Sequence, residues 1–241
     1  PPLDAPQCYF DLYDHKELAP PWRGDWNFED QARQARYRYD AQTAPLDPEA
    51  LRRMRVGYYA CITHLDHQIG RLLTALREEG LMDNTVILFV SDHGEMLGDH
   101  LLFRKAKPFQ GSARVPLFLS GPEELVGRGG RGELAELRDV MPTLLELAGA
   151  PVPDTVDGHS LLHPAARPYL HGEHALGEDS MHFIVTPTDK FVWYSQTGRE
   201  LYFDLERDPH ETHNAADDPG CAPRVDQLRR LLARELAGRE E

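Results

Sequence analysis

The sequence predicts an α/β fold in which helices flank a sheet, followed by a small C-terminal α+β subdomain with an antiparallel sheet. Residues 48–79 have the apolar spacing of a long amphipathic helix, and they lead into apolar strand patterns at 85–90 and 115–119. After about residue 165 the pattern changes to short strands at 182–186, 190–194 and 200–205, then a helix at 224–236. We therefore expect two domains, residues 1–164 and 165–241. A short helix at 29–39 is a further expectation.

The long helix has clear signals at both ends. Asp47 can accept hydrogen bonds from free amides of the first turn, and Pro48 suits the first helical position. Gly80 favours a left-handed cap at the other end. Apolar side chains recur three or four residues apart, at Leu51, Met54, Tyr58, Ile62, Leu65, Ile69, Leu72 and Leu76. We therefore expect one αβ unit, in which the helix leads through a turn at 82–84 into a buried strand at 85–90.

The segment directly after this strand is the most informative one, because residues 91–95 read Ser-Asp-His-Gly-Glu. Asp92 and His93 arrive where the strand ends, and ligands of open α/β sheets bind beyond that end. A carboxylate and an imidazole are both metal ligands. Gly94 lets the backbone turn sharply away. Since Asp and Gly are also ordinary turn residues, the pentapeptide alone leaves a metal site and a simple turn open.

The following residues extend this motif. Residues 96–105 read Met-Leu-Gly-Asp-His-Leu-Leu-Phe-Arg-Lys, and residues 109–117 read Phe-Gln-Gly-Ser-Ala-Arg-Val-Pro-Leu. In order and spacing, residues 91–117 resemble the sulfatase family of the alkaline-phosphatase superfamily. Residues 139–149, 157–162 and 201–214 resemble further segments of that family. The resemblance implies an alkaline-phosphatase-like sheet flanked by helices, of which residues 1–164 form a part, and a small C-terminal subdomain.

The resemblance implies metal-dependent hydrolysis of sulfate esters, as in arylsulfatases. Asp92 and His93 match two ligands of a divalent metal ion, with calcium as the first expectation and manganese or magnesium as alternatives. Lys105 matches the family's catalytic lysine that contacts the sulfate group, and the nearby Lys107 is a less suitable candidate. His100 is a candidate substrate-binding residue. A phosphonate monoester or phosphodiester hydrolase of the same superfamily remains an alternative, because it shares these motifs.

The resemblance also implies a formylglycine nucleophile that arises from a Cys-x-Pro-Ser-Arg motif. Cys8, Cys61 and Cys221 all lack these surroundings. The sequence also begins without an initiator methionine. We therefore expect the nucleophile and the remaining acidic metal ligands to lie upstream, in a longer polypeptide. As a third alternative, this chain is a catalytically incomplete fragment with no activity of its own.

Composition restricts the partners. Hydrophobic residues make up 41% of the sequence and charged residues 27%, which is typical of a globular chain. A net charge of −14 argues against a nucleic acid partner. No apolar stretch approaches the ~20 residues that cross a bilayer, so we expect no membrane association. The expected partner is a small-molecule or carbohydrate sulfate ester. A homo-oligomer is left open, and three scattered cysteines favour a reducing compartment such as the cytoplasm.

Two further groups contain residue types that bind metals. His64 and His67 lie three apart on the long helix, without a third ligand at suitable spacing. We interpret them as structural, and the neighbouring Asp66 as a buried hydrogen-bonding carboxylate. Residues 171–174 read His-Gly-Glu-His. Because the sequence shows no partner cluster for them, we interpret this segment as a loop at the edge of the pocket.

Overall fold

The computed structural model describes residues 2–26, 47–130, 132–163, 166–174 and 180–237. Its helices are α1 (Gln7–Asp11), α2 (Pro48–Glu78), α3 (Gln110–Ala113), α4 (Glu123–Val126), α5 (Val140–Leu147) and α6 (Ala222–Ala237). Its strands are β1 (Ile87–Val90), β2 (Leu117–Ser120), β3 (Leu170–His174), β4 (Met181–Val185), β5 (Asp189–Tyr194) and β6 (Arg199–Asp204). Single 3-10 turns lie at Met82–Asn84, Asp99–Leu101 and Leu137–Asp139. The helix expected at 29–39 falls outside the described residues.

The strands of the described segments form two antiparallel sheets. β1 pairs with β2, so that Ile87 lies opposite Ser120 and Val90 opposite Leu117. The second sheet has the order β3-β4-β5-β6. Its last hairpin confirms the predicted turn at 197–198, where Gly198 has a φ of 69°. This sheet and α6 confirm the predicted antiparallel α+β region near the C-terminus.

Residues 171–174 were predicted to form a loop, but they belong to strand β3. That prediction is wrong. The segment contains no β-branched or aromatic residue and includes a glycine, so it lacks the local signals of a strand. Backbone pairing with β4 along its whole length makes it an edge strand, with Glu173 opposite His182.

Helix α2 confirms the predicted boundaries. The Asp47 carboxylate accepts a hydrogen bond from the amide of Ala50 at 3.1 Å. The predicted apolar stripe, however, is covered only in part: Leu51 and Tyr58 are half-buried, whereas Leu65 and Leu72 are 56% and 60% exposed among the described residues. The buried residues Val56 and Ala60 lie outside the predicted stripe. Likewise, the four residues of β1 are half-buried rather than fully buried. No helix in the described part of the chain is both long and apolar enough to span a membrane.

The histidines of α2 contact helix α1 rather than each other. The Tyr9 ring lies 4.9 Å from the ring of His64 and 5.3 Å from that of His67. The Tyr9 hydroxyl is 3.1 Å from Nδ1 of His67. These contacts support a structural interpretation of both histidines. The prediction that Asp66 is buried is wrong, because the described residues leave this part of the helix surface exposed.

One hydrophobic core extends across residue 164. Its buried members come from the N-terminal segment, the loops after β1 and the four-stranded sheet: Trp26, Met96, Leu102, Phe109, Met181, Val192, Tyr194, Leu201 and Phe203. The other face of the sheet packs on α6 through Ile184, Phe191, Tyr202, Val225, Leu228 and Leu232. The two predicted regions therefore share buried surface, and their boundary at 164/165 stays a prediction.

The N-terminal segment packs on residues near the C-terminus. The indole Nε1 of Trp26 donates to the carbonyl of Glu211 at 2.7 Å. The Trp22 ring stacks on His210 with centroids 3.7 Å apart. Nδ1 of His213 lies 2.6 Å from Asp25 Oδ2. Hydrogen bonds with Asp25 and then with Asp218 raise the pKa of His213. The segment is thus held by hydrogen bonds, ring stacking and an ion pair.

A buried ion pair fastens the four-stranded sheet to the loop before α3. The side chains of Lys190 and Glu211 are each 1% exposed, with Nζ and Oε1 2.5 Å apart. Nζ also donates to the carbonyl of Pro108 at 2.6 Å. The other carboxylate oxygen of Glu211 accepts from the Gln110 amide at 2.7 Å. Glu211 lies in the 201–214 segment of the resemblance, and its ion pair with Lys190 gives it a structural role.

A second buried carboxylate connects α5 with the Asp-Gly segment at 157–158. Asp139, whose side chain is 2% exposed, accepts two hydrogen bonds from Arg167, each at 2.6 Å. It also accepts from the His159 amide at 2.8 Å. Burial raises the pKa of Asp139, but these hydrogen bonds outweigh that effect and hold the pKa below its ordinary value. A Cβ at Gly158 would lie 1.9 Å from the Arg138 carbonyl oxygen, so this contact requires glycine.

Candidate metal and anion site

Asp92 and His93 place an oxygen and a nitrogen side by side beyond the end of β1. Oδ2 of Asp92 lies 3.5 Å from Nε2 of His93, and the two side chains are 84% and 40% exposed. Nδ1 of His93 lies 2.8 Å from the carbonyl oxygen of Gly94. Because a carbonyl only accepts hydrogen bonds, Nδ1 carries a proton, and in the neutral ring Nε2 then has the lone pair that can bind a metal ion. Such a backbone contact is how metal-binding histidines fix their tautomer.

This donor pair fits a divalent cation. Ligand bonds of roughly 2.0–2.5 Å bring neighbouring donor atoms in a coordination shell to about the spacing seen between Asp92 and His93. Oδ1 of Asp92 accepts the His93 amide at 2.9 Å, so Oδ2 is the oxygen left for the ion. Two donors do not complete the shell of calcium, magnesium or manganese. A metal ion bound to this pair would therefore need further ligands.

Gly94 allows helix α3 to approach the end of β1. Its amide donates to the carbonyl of Ser112 at 2.8 Å. A Cβ at this position would lie 2.1 Å from the carbonyl oxygen of Gly111, so no other residue fits without displacing the backbone. Sequence reasoning expected a sharp turn here. The structure shows a close backbone contact as well. This contact could not be predicted, because its partners Gly111 and Ser112 lie in a different segment of the sequence.

Glu95 and Met96 hold the loop that carries Lys105. The Met96 amide donates to the Arg104 carbonyl at 2.9 Å. The Glu95 carboxylate accepts from the amide of Leu97 at 3.2 Å and also from the amide of Arg104. These bonds bring the loop back to the strand end that carries Asp92 and His93. Sequence reasoning missed this role of Glu95, because its partners lie up to nine residues away.

The Lys105 loop contains several strained backbone conformations. Lys105 itself is exposed and stands between Arg104, with a φ of 63°, and Ala106, with a φ of 68°. Left-handed φ values also occur at the non-glycine residues Leu97, His100 and Leu101. Each costs roughly 1–2 kcal/mol for an L-residue. Such strain persists where surrounding contacts enforce it, and it concentrates at binding and catalytic sites.

His100 lies inside the core rather than at the surface. It is 3% exposed, and its ring centroid is 4.9 Å from that of Trp26 and 6.0 Å from that of Phe109. Its amide donates to the Trp22 carbonyl at 2.7 Å. Burial lowers the pKa of His100 to about 4, so the ring is neutral at pH 7. These contacts favour a packing role, and the substrate-binding role stays a prediction.

The comparisons with known proteins agree with one another. Residues 24–150 match the family model described as Sulfatase, and residues 98–237 match the model for the C-terminal part of N-sulphoglucosamine sulphohydrolase. The arylsulfatase of Clostridium perfringens is 49% identical over 250 residues, which cover 100% of this chain and 52% of that protein. A multifunctional alkaline phosphatase superfamily protein of Trinickia caryophylli is 32% identical, with 98% of this chain and 54% of that protein covered.

Solved structures show the same fold. A phosphonate monoester hydrolase from Silicibacter pomeroyi superposes with a TM-score of 0.83 at 26% identity, over 98% of this chain and 54% of that one. A structure solved in complex with its substrate D-glucosamine-2-N,6-O-disulfate gives a TM-score of 0.66 at 26% identity, over 86% and 45%. The chain spans about half the length of the curated relatives it matches. It has an alkaline-phosphatase-like α/β fold and belongs to the sulfatase family.

Proposed function

We propose that this chain contributes metal-binding and anion-binding groups to a metal-dependent sulfate ester hydrolase of the arylsulfatase type. The observation that carries the proposal is the contact between Asp92 and His93 at the end of β1, with the imidazole proton held by the Gly94 carbonyl. The expected substrate is a small-molecule or carbohydrate sulfate ester. The similarity to the Clostridium perfringens arylsulfatase supports this reaction class.

Asp92 and His93 have separate tasks in this proposal. A bound divalent cation would polarise the sulfate oxygens. Asp92 contributes a negative charge and a hard oxygen, which suits calcium first and also magnesium. His93 contributes a nitrogen, which makes manganese a suitable alternative. Gly94 keeps the imidazole in the tautomer that can bind the ion.

Lys105 is proposed to bind the sulfate group and to stabilise its transition state. The chain has a net charge of −14, so an anionic substrate needs a local positive charge to approach. An ammonium group beside the ester oxygen would offset the negative charge that develops as the bond to the leaving group breaks. The hydrogen bonds of Glu95 and Met96 would hold the loop in place. His100 remains a second candidate for substrate contact.

The nucleophile is proposed to be a formylglycine supplied by residues upstream of this chain. None of the three cysteines in the sequence lies in a Cys-x-Pro-Ser-Arg motif. By itself, the chain is therefore expected to hydrolyse no ester. This expectation is tested by assaying the isolated chain beside the protein that contains it.

A phosphonate monoester hydrolase is the second candidate. Two phosphonate monoester hydrolases superpose on the chain with TM-scores of 0.81 and 0.83. The same strand end and lysine would suit a phosphonate oxyanion equally well. Only a comparison of substrates separates the two activities.

The test uses the protein that contains this chain and three single variants. Asp92→Asn should lower metal content and turnover together. Lys105→Ala should keep the metal and lose roughly 10²–10³ in kcat/KM for nitrophenyl sulfate, as expected for removal of one oxyanion-stabilising group. Lys107→Ala is the matched control and should stay within about twofold of wild type, as a lysine outside the site.

Wild-type metal content and turnover in Asp92→Asn would rule out the assigned metal site. Equal losses in the Lys105 and Lys107 variants would remove the assigned role of Lys105. A higher kcat/KM for nitrophenyl phenylphosphonate than for nitrophenyl sulfate would replace the proposed function with the second candidate.

A further inference from the structure

Strands β3 and β4 bring three potential metal ligands together on one face of the C-terminal sheet. His171 and Glu173 are two residues apart on β3, so their side chains share a face. His182 on β4 lies directly opposite Glu173. One donor atom from each of the three side chains lies within 4.8 Å of the others. Sequence reasoning considered His171 with His174, whose side chain points to the other face of the strand.

The contacts around His182 favour a ligand at this point. Its Nδ1 lies 3.4 Å from Oε2 of Glu173. The rings of His171 and His182 are nearly parallel, at 11°, with centroids 5.6 Å apart. Trp193 stacks on His182 with centroids 6.0 Å apart. Nδ1 of His182 is buried and makes no hydrogen bond among the described residues. An unsatisfied buried polar atom is unfavourable, and a metal bond would satisfy it.

The edge of the sheet leaves access to the three side chains. Because β3 is the edge strand, His171 and Glu173 also line a cleft of about 480 Å³ beside the sheet. The side chain of Glu173 is 52% exposed, whereas that of His182 is 19% exposed. An ion can therefore enter from the Glu173 side.

We propose that His171, Glu173 and His182 bind a zinc ion or a similar transition metal, at a site separate from Asp92 and His93. Two imidazole nitrogens and one carboxylate oxygen form a common three-residue donor set for zinc, with a water molecule as the fourth ligand. Donor atoms in a tetrahedral zinc shell lie roughly 3.4 Å apart, so binding requires small side-chain rotations. The nitrogen-rich set disfavours calcium, which prefers oxygen ligands. The proposal does not depend on the proposed function.

The experiment titrates the full chain with Zn²⁺ in isothermal calorimetry and records the change in Tm. Wild type should bind Zn²⁺ at this site, and its Tm should rise as the metal binds the folded state. His182→Gln and Glu173→Gln should each weaken binding by at least about tenfold and abolish the rise in Tm. Because Glu173 is half exposed, its variant tests the proposal even where His182→Gln impairs folding. Asp92→Asn removes the strand-end site and should keep this binding.

His174→Gln is the matched control, since it lies on the same strand and faces the other side of the sheet. It should bind Zn²⁺ with wild-type affinity. Cobalt substitution should produce visible d–d absorption in wild type and none in Glu173→Gln. Three results would each overturn the proposal: no Zn²⁺ binding by wild type, wild-type affinity in both the Glu173 and His182 variants, or loss of binding in Asp92→Asn instead.

Discussion

Replacing Lys190 with methionine would leave the charge of Glu211 buried without its cation. Both side chains are 1% exposed and their charged atoms are 2.5 Å apart. Removing one partner of such a buried pair costs about 3–5 kcal/mol of unfolding free energy. The carbonyl of Pro108 would also lose its donor. We expect the Lys190→Met chain to fall within this range of destabilisation, and Glu211→Leu to have a similar cost.

Urea unfolding followed by tryptophan fluorescence measures this effect. Trp26 reports directly, since its indole donates to the Glu211 carbonyl. The double variant Lys190→Met/Glu211→Leu should cost clearly less than the sum of the two single variants, because it leaves no isolated charge in the core. Arg229→Met is the control: its ion pair with Glu200 is similarly short at 2.6 Å, but the two side chains are 49% and 20% exposed. Its loss should cost less than about 1 kcal/mol.

Two outcomes would refute this reasoning. One is a cost for Lys190→Met that is no greater than that for Arg229→Met. The other is strict additivity of the Lys190 and Glu211 variants, which would mean that the two side chains do not interact. Either result would show that other contacts attach the loop before α3 to the four-stranded sheet.

Three further predictions concern single positions. Gly94→Ala should lower the unfolding free energy by at least about 1–3 kcal/mol in thermal denaturation, whereas Gly70→Ala, whose added Cβ meets nothing within 4 Å, should not destabilise the chain. Between pH 7 and 4, wild type should lose up to about 3 kcal/mol relative to His100→Leu, because the imidazole has a pKa of about 4 when folded and about 6.5 when unfolded. A pH-independent difference would contradict this. The raised pKa of His213 should stabilise wild type over His213→Asn below about pH 6.5, by less than about 1 kcal/mol. This advantage should disappear as the pH rises through the folded pKa, and urea unfolding at several pH values measures it.

Sequence patterns predicted those helices and strands whose signals lie in neighbouring residues. The boundaries of α2 follow from a capping aspartate, a first-turn proline and a terminal glycine. The last three strands follow from alternating apolar residues and a Thr-Gly turn. The Asp92 and His93 pair could be located because it directly follows an apolar strand. In each case, neighbouring residues contain the whole signal.

Contacts between distant segments could not be predicted in this way. The ligand cluster at His182 depends on the register between β3 and β4, and β3 has no strand-like composition of its own. The role of Glu211 depends on Lys190, which lies 21 residues away along the chain. The exposure of Asp66 depends on which elements cover α2. Sequence spacing alone does not specify any of these relationships.

The position of Trp26 in the shared core has a consequence for biosynthesis. Its indole binds a carbonyl 185 residues further along the chain. During translation, Trp26 therefore leaves the ribosome long before Glu211 is synthesised. Until then, the indole side chain lacks its hydrogen-bond acceptor. Contacts of such wide separation slow folding and leave apolar surface available for aggregation in the meantime. Truncations that remove the last fifty residues should consequently yield aggregates rather than a smaller folded unit.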